Sequence, residues 1–139
     1  MDRVFAFQIK NRFEDLEALN QQLRAALAEP PLPEEAWFAI DLVVDEIVTN
    51  IIKYAHADDG EHPIKVDLRI TEDAVEIAVE DEGRPFNPFD RPEPVTNLPV
   101  EERPIGGLGI HLLRHTMDRC DYEKTAHGNR LTFTKKFPA

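Results

Sequence analysis

Residues 64–71 (Ile-Lys-Val-Asp-Leu-Arg-Ile-Thr) and 74–81 (Ala-Val-Glu-Ile-Ala-Val-Glu-Asp) both alternate apolar with polar side chains, and only Glu72-Asp73 separates them. A period of two puts every second side chain on one face of a strand. A two-residue connection allows antiparallel pairing and leaves no room for a crossover. The chain therefore builds a hairpin with one face in the core and one in water, and other elements must cover the apolar face.

Two helical segments supply that cover. Phe13, Leu16, Leu19, Leu23 and Leu27 recur at helical spacing over residues 13–28, and Pro30, Pro31 and Pro33 end that run. Pro33 with Glu34 and Glu35 suits the start of a second helix, because proline fits the first turn and acids suit the positive helix end. This helix, about 33–56, has an apolar stripe of Ile40, Val43, Val44, Ile47, Val48, Ile51 and Tyr54. Asp41, Asp45, Glu46, Thr49, Asn50 and Lys53 form the opposite stripe. Residues 3–10 alternate as a strand, with Phe5, Phe7 and Ile9 set against Val4, Ala6 and Gln8. Residues 84–105 are proline-rich and lack a period, as functional loops often do. Residues 108–117 read as a helix with Leu108, Leu112, Leu113 and Met117 inward. Strands at about 121–126 and 130–137 meet at a turn holding Gly128-Asn129. The order predicts an α+β fold: a two-layer α/β sandwich with helices on one face of a mixed, mainly antiparallel sheet.

Composition narrows the function classes. The 139 residues, 42% hydrophobic and 31% charged, suit one globular domain, 1–139, with a real core. A net charge of −11 argues against direct nucleic-acid binding, which needs a phosphate-neutralising patch. No apolar run is long enough for a bilayer, and the N-terminus lacks a signal peptide's apolar stretch, so a cytoplasmic location is expected. The single cysteine, Cys120, cannot form an internal disulfide and reads as a buried, inert thiol. Trp37 and Phe38 read as packing residues. His111 and His115 have a spacing zinc can use but lack the partners of a zinc motif.

Three motifs carry the chemistry. Glu46, Asn50 and Lys53 share one helix face. A carboxylate there can act as general base, an amide oxygen can ligate Mg2+, and a lysine can approach phosphate. Asp81-Glu82-Gly83 ends a strand, where a carboxylate can accept a bond from an exocyclic amine and glycine lets backbone approach a base. Gly106-Gly107-Leu108-Gly109 opens a helix, where free N–H groups and the helix dipole suit phosphate. The sequence matches neither the Walker A pattern nor the dinucleotide fingerprint.

In this order the motifs resemble the N, G1 and G2 boxes of the GHKL ATPase superfamily: residues 45–55, 79–86 and 106–113. Within it the chain is most similar to the small anti-sigma-factor serine/threonine kinases, over nearly its whole length. The resemblance implies a Bergerat-type fold and ATP with Mg2+ as the bound species. It implies Glu46 as the catalytic base and Asn50 as the Mg2+ ligand. Asp81 would contact the adenine amine, with Gly83 beside the base. Gly107, Leu108 and Gly109 would line the phosphates, with Lys53 and Arg103 as further phosphate contacts and residues 84–106 as a lid. Pro85 stands where the G1 box often has a second glycine, and Tyr54 where many anti-sigma members carry histidine. Asn129 replaces a threonine often found in the last turn, which leaves the last strand outside the expected site.

The resemblance implies a kinase that phosphorylates an STAS-type anti-sigma-factor antagonist and sequesters a sigma factor or similar regulator. Such domains are often homodimers through the sheet or first strand. An ATP-binding interaction module without kinase activity is the alternative reading. A third, the ATP-binding half of a histidine kinase, lacks support because the first 35 residues contain no His-Glu phosphoacceptor helix.

Overall fold

A computed structural model describes residues 2–28, 33–56, 60–84 and 116–137. Strand β1 spans Arg3–Lys10, helix α1 Phe13–Ala26 and helix α2 Glu34–Tyr54. Strands β2 (Pro63–Ile70), β3 (Ala74–Asp81), β4 (Arg119–Lys124) and β5 (Asn129–Lys136) follow. The strands form one sheet in the order β1-β2-β3-β5-β4. All four pairings are antiparallel, so among the described residues the expected mixed sheet is purely antiparallel.

The hairpin forms as the alternation requires. Ile64, Val66, Leu68 and Ile70 of β2 and Val75, Ile77 and Val79 of β3 are buried in one cluster with Leu131 and Phe133 of β5. Their outward neighbours Lys65, Arg69 and Glu76 are exposed. The Thr71 hydroxyl closes the turn by accepting the Asp73 and Ala74 N–H groups at 3.2 and 3.0 Å.

Both helices pack into that same cluster, through Leu16, Leu19 and Leu23 of α1 and Ile40, Val43, Val44, Ile47 and Val48 of α2. They run antiparallel to each other. Arg24 lies over the Trp37 ring at 5.4 Å, while Asn20, a turn earlier in α1, reaches Asp45, two turns later in α2. α2 begins at Glu34 behind Pro33, whose carbonyl accepts the Trp37 N–H at 3.0 Å. α1 starts without a side-chain cap of its own, but the Asp15 carboxylate in its first turn accepts the Lys10 N–H at 2.8 Å.

Several expectations change. Phe13 is 51% exposed and Phe38 63%, so neither is a core residue. Phe13 is the first residue of α1, and Trp37 beside Phe38 takes the inward position. β4 starts two residues earlier than its pattern suggests. It ends the sheet, and its start is set by pairing: Asp118 N–H donates to the Thr134 carbonyl at 2.9 Å, and Arg119 faces Thr134. Met117 is buried as expected, whereas residues 108–115 of the expected helix lie outside the described residues. The Tyr54 side chain also lies outside them. Cys120 is half-buried and packs against the core. Among the described residues no helix is long and apolar enough to cross a membrane.

Candidate functional site

The polar flank of α2 is not uniform. Asp45 accepts a 2.9 Å bond from the Asn20 amide and so belongs to the contact with α1. The Asp41 carboxyl is pushed above its usual range by burial and by the charge of Asp45, with Arg24 pulling the other way. Glu46 sits about 100° further round the helix from Asp45. Glu46 and Asn50 are half-buried one turn apart, and Lys53 is exposed. At 1.5 Å per residue, Asn50 lies about 6 Å along the axis from Glu46, and Lys53 about 4.5 Å beyond. A carboxylate, an amide oxygen and an ammonium thus follow one another along the flank of a helix whose other side is fixed in the core.

The end of α2 meets the end of β3. Ala55, the C-cap of α2, accepts the Arg84 N–H at 3.1 Å. Asp81, the last residue of β3, and Asn129, the first of β5, face each other across the ladder. They are 5% and 7% exposed and are the buried polar side chains among the described residues. A buried carboxylate is tolerated only where donors surround it. Here Asp81 Oδ2 accepts the Gly83 N–H at 2.8 Å and the Asn129 amide at 3.4 Å. The same amide donates to the Arg84 carbonyl at 2.9 Å, and the Tyr122 hydroxyl donates to Asn129 Oδ1.

Burial dominates the protonation of Asp81 and holds its carboxyl above the usual range. The Gly83 and Asn129 bonds and nearby His56 pull it down, and Glu80 pushes it up. His56 stacks face to face on His62, with ring centroids 3.6 Å apart and planes 5° from parallel.

Two glycines let these segments approach. A Cβ on Gly83 would lie 2.5 Å from the Ala55 Cβ and 2.7 Å from Asp81 Oδ2. A Cβ on Gly128 would lie 2.0 Å from the Asp81 carbonyl oxygen. Only a residue without a side chain lets the β4–β5 turn lie against the Asp81-Glu82 backbone. The arrangement suits a flat base: a buried carboxylate that can accept from an amine, at a strand end where backbone is close-packed.

The fold therefore joins Asp81 and Gly83 to the end of the helix that carries Glu46, Asn50 and Lys53. Arg103, Gly107, Leu108 and Gly109 lie outside the described residues, as do His111, His115 and all of the 84–106 stretch but Arg84. Asn129, expected outside the site, and Gly128 and Tyr122, which no motif singles out, join Asp81 in the fold. The signal available for them was register: once β5 pairs with β3, residue 129 must face residue 81.

Comparison with known proteins identifies the family of the fold. A family described as "Histidine kinase-like ATPase domain" matches residues 9–135. A Bordetella bronchiseptica protein named serine/threonine-protein kinase BtrW is 29% identical over 97 residues, covering 70% of this chain and 68% of its own. Proteins named serine-protein kinase RsbW from Listeria innocua and Bacillus mycoides are 33% and 36% identical. They match 60% and 55% of this chain, and the matched stretch is only 56% and 50% of their own length. Among solved structures, the RsbU and RsbW domains of a Mycobacterium tuberculosis protein superpose with a TM-score of 0.68 at 18% identity. That match covers 99% of this chain and 34% of the other. The histidine kinase domain of a blue-light-activated kinase from Erythrobacter litoralis gives 0.57 at 16% identity, over 88% of this chain and 61% of the other. At these identities the two structures speak for the fold alone.

Proposed function

Because the chain belongs to the histidine kinase-like ATPase domain family, we propose that residues 1–139 form one ATP-binding domain acting as a serine/threonine protein kinase of the anti-sigma, partner-switching type. The observation that carries the reading is the alignment of Glu46 and Asn50 on α2, the helix whose end packs against the Asp81-Gly83 turn. The serine kinases BtrW and RsbW among its relatives supply the reaction class.

Asp81 accepts a hydrogen bond from the adenine amine, and Gly83 allows the base to lie close to backbone. The Asn50 side-chain oxygen would hold Mg2+, whose charge would offset that of the phosphates. Lys53, Arg103 and the Gly107, Leu108 and Gly109 backbone contact phosphate. Glu46 accepts the proton of the attacking serine or threonine hydroxyl. Bound Mg-ATP supplies the phosphoryl group and the positive charge that offsets its oxygens.

The protein substrate is an STAS-type antagonist, and the sequestered partner is a sigma factor or similar regulator. The whole acts in the cytoplasm. Among the described residues β1 is an edge strand, and a homodimer forms through it.

The test has two steps. Calorimetry of ATP binding with and without Mg2+ compares wild type with Asn50→Ala, and Mg-dependent binding should fall in the variant. Transfer from radiolabelled ATP to a purified STAS-domain protein from the same genome then compares wild type with Glu46→Ala. The variant should keep ATP binding and lose at least about 100-fold in transfer. Transfer surviving in Glu46→Ala sinks the assignment of the base. Binding without any transfer by wild type makes the chain a nucleotide-dependent interaction module instead.

A further inference from the structure

Three groups outside the proposed phosphate chemistry stand out: the exposed Phe38 and Leu42 on α2, the stacked His56 and His62, and the buried Asn129 with Tyr122. Of these, Asn129 is hydrogen-bonded to Asp81 itself.

Asn129 is a junction. Its amide bonds both Oδ2 of Asp81, at the end of β3, and the carbonyl of Arg84, at the start of the 84–106 stretch. Its own oxygen is taken by the Tyr122 hydroxyl from β4. An asparagine amide can turn over, exchanging its oxygen and nitrogen ends. The Arg84 carbonyl and the Asp81 carboxylate, which accept, fix the nitrogen end here, and the Tyr122 hydroxyl, which could serve either end, then donates to the oxygen. The Gly83 N–H and the Asn129 amide both use Oδ2 of Asp81, and Oδ1 takes neither bond. Gly128, which admits no Cβ, holds this junction against the Asp81-Glu82 backbone.

We propose that Asn129, oriented by the Arg84 carbonyl and with its oxygen held by Tyr122, is a positioning residue for base recognition. It fixes the Asp81 carboxylate through Oδ2, presents Oδ1 to a 6-amino purine, and ties residue 84 to the same carboxylate. This rests on the reading of Asp81 as the base contact and extends it to a residue and a strand outside the expected site. A guanine offers a carbonyl where adenine offers an amine, so a fixed acceptor at this point selects against it.

The groups that bias Asp81 are Gly83 and Glu80 on its own segment, Asn129 on β5 and His56 beyond α2. The Asn129 amide favours the ionised carboxylate that the amine requires. Its removal must move the acid limb of ATP binding to higher pH. A role confined to stability would lower affinity alike at every pH.

The experiment measures binding of Mg-ATP and Mg-GTP between pH 5 and 8.5, by calorimetry on wild type, Asn129→Ala and Tyr122→Phe, with far-UV circular dichroism as the fold check. Wild type should bind ATP and lose affinity as pH falls. Asn129→Ala should bind about tenfold more weakly at neutral pH, with its acid midpoint moved upward and its preference for ATP over GTP reduced. Tyr122→Phe, which keeps the ring and removes the hydroxyl, should shift the midpoint the same way by less. It serves as the test if Asn129→Ala does not fold. An unchanged midpoint in a folded variant overturns the positioning role while leaving the nucleotide site standing. Failure of wild type to bind ATP overturns the site itself.

Discussion

Replacing Gly128 by alanine would place a methyl carbon 2.0 Å from the Asp81 carbonyl oxygen, 2.7 Å from Glu82 Cα and 2.8 Å from the Asp81 carbonyl carbon. Non-bonded heavy atoms settle about 3.5 Å apart, so the closest pair must separate by about 1.5 Å. All three obstacles are backbone, and β3 is paired on both sides, with β2 and β5, so they cannot swing aside. The β4–β5 turn must retreat instead. That movement works against the Asp81–Asn129 bond and against the pair between residues 125 and 128, where the Thr125 N–H reaches the Gly128 carbonyl at 2.9 Å and the Gly128 N–H reaches the Thr125 hydroxyl at 2.9 Å. Overpacking of this kind costs about 3 kcal/mol at its upper end. A lost hydrogen bond adds about 1 kcal/mol, offset by up to about 1 kcal/mol from the smaller entropy of the unfolded alanine chain. The net is about 3 kcal/mol. An unfolding entropy of about 2.1 cal/mol/K per residue over 139 residues makes each kcal/mol worth about 3.4 °C. Gly128→Ala should therefore lower Tm by about 10 °C in a thermal melt followed by circular dichroism. The exposed neighbour change His127→Ala should move it by less than about 2 °C. A Gly128→Ala protein melting within about 3 °C of wild type would refute the claim that this turn is clamped on the β3 backbone.

The other consequences are direct. Asp81 has its carboxyl raised chiefly by burial, so the folded chain holds a proton that the unfolded chain has already lost. Ionised Asp81 thus costs stability above its raised value, and the cost disappears as pH falls through the ordinary carboxylate range. Asp81→Asn should raise Tm at neutral pH, with the gap to wild type closing on acidification, while ATP affinity is lost; a gap that does not vary with pH contradicts this. Leu19→Ala, at a fully buried position on α1, should cost about 3 kcal/mol by urea denaturation. Phe38→Ala, at an exposed one, should stay within about 0.5 kcal/mol, and a large loss there would mean that Phe38 packs after all. Glu46→Ala and Asn50→Ala should separate transfer from Mg-dependent binding, as set out above.

Much of this architecture is legible in the residues because its elements have clean periods. The alternation through Val75, Ile77 and Val79 defines β3 to the residue, and Pro33-Glu34-Glu35 marks where α2 starts. Positions at element ends are less legible. Phe13 fits its helical pattern but is half exposed at the first position of α1, and Phe38 falls about 160° round α2 from Ile40, off the buried stripe, where solvent reaches it. β4 alternates only through half-buried Cys120 and Tyr122, too short a run to fix its ends, so its bounds follow from pairing with β5.

The site divides the same way. Glu46, Asn50 and Lys53 share a flank of α2 by the 3.6-residue turn alone, and Asp81-Gly83 ends its strand by pattern alone. Helical and strand periods are local properties that a sequence determines by itself. Only the tertiary structure could decide that Asn129 and Tyr122 belong with Asp81, that Gly128 must be a glycine, and that Asp45 turns to Asn20 and away from Glu46. Each of those depends on which strand or helix becomes the neighbour. A neighbour chosen across 48 residues of chain, as for Asp81 and Asn129, is set by the packing of the whole sheet and leaves no periodic trace in either segment.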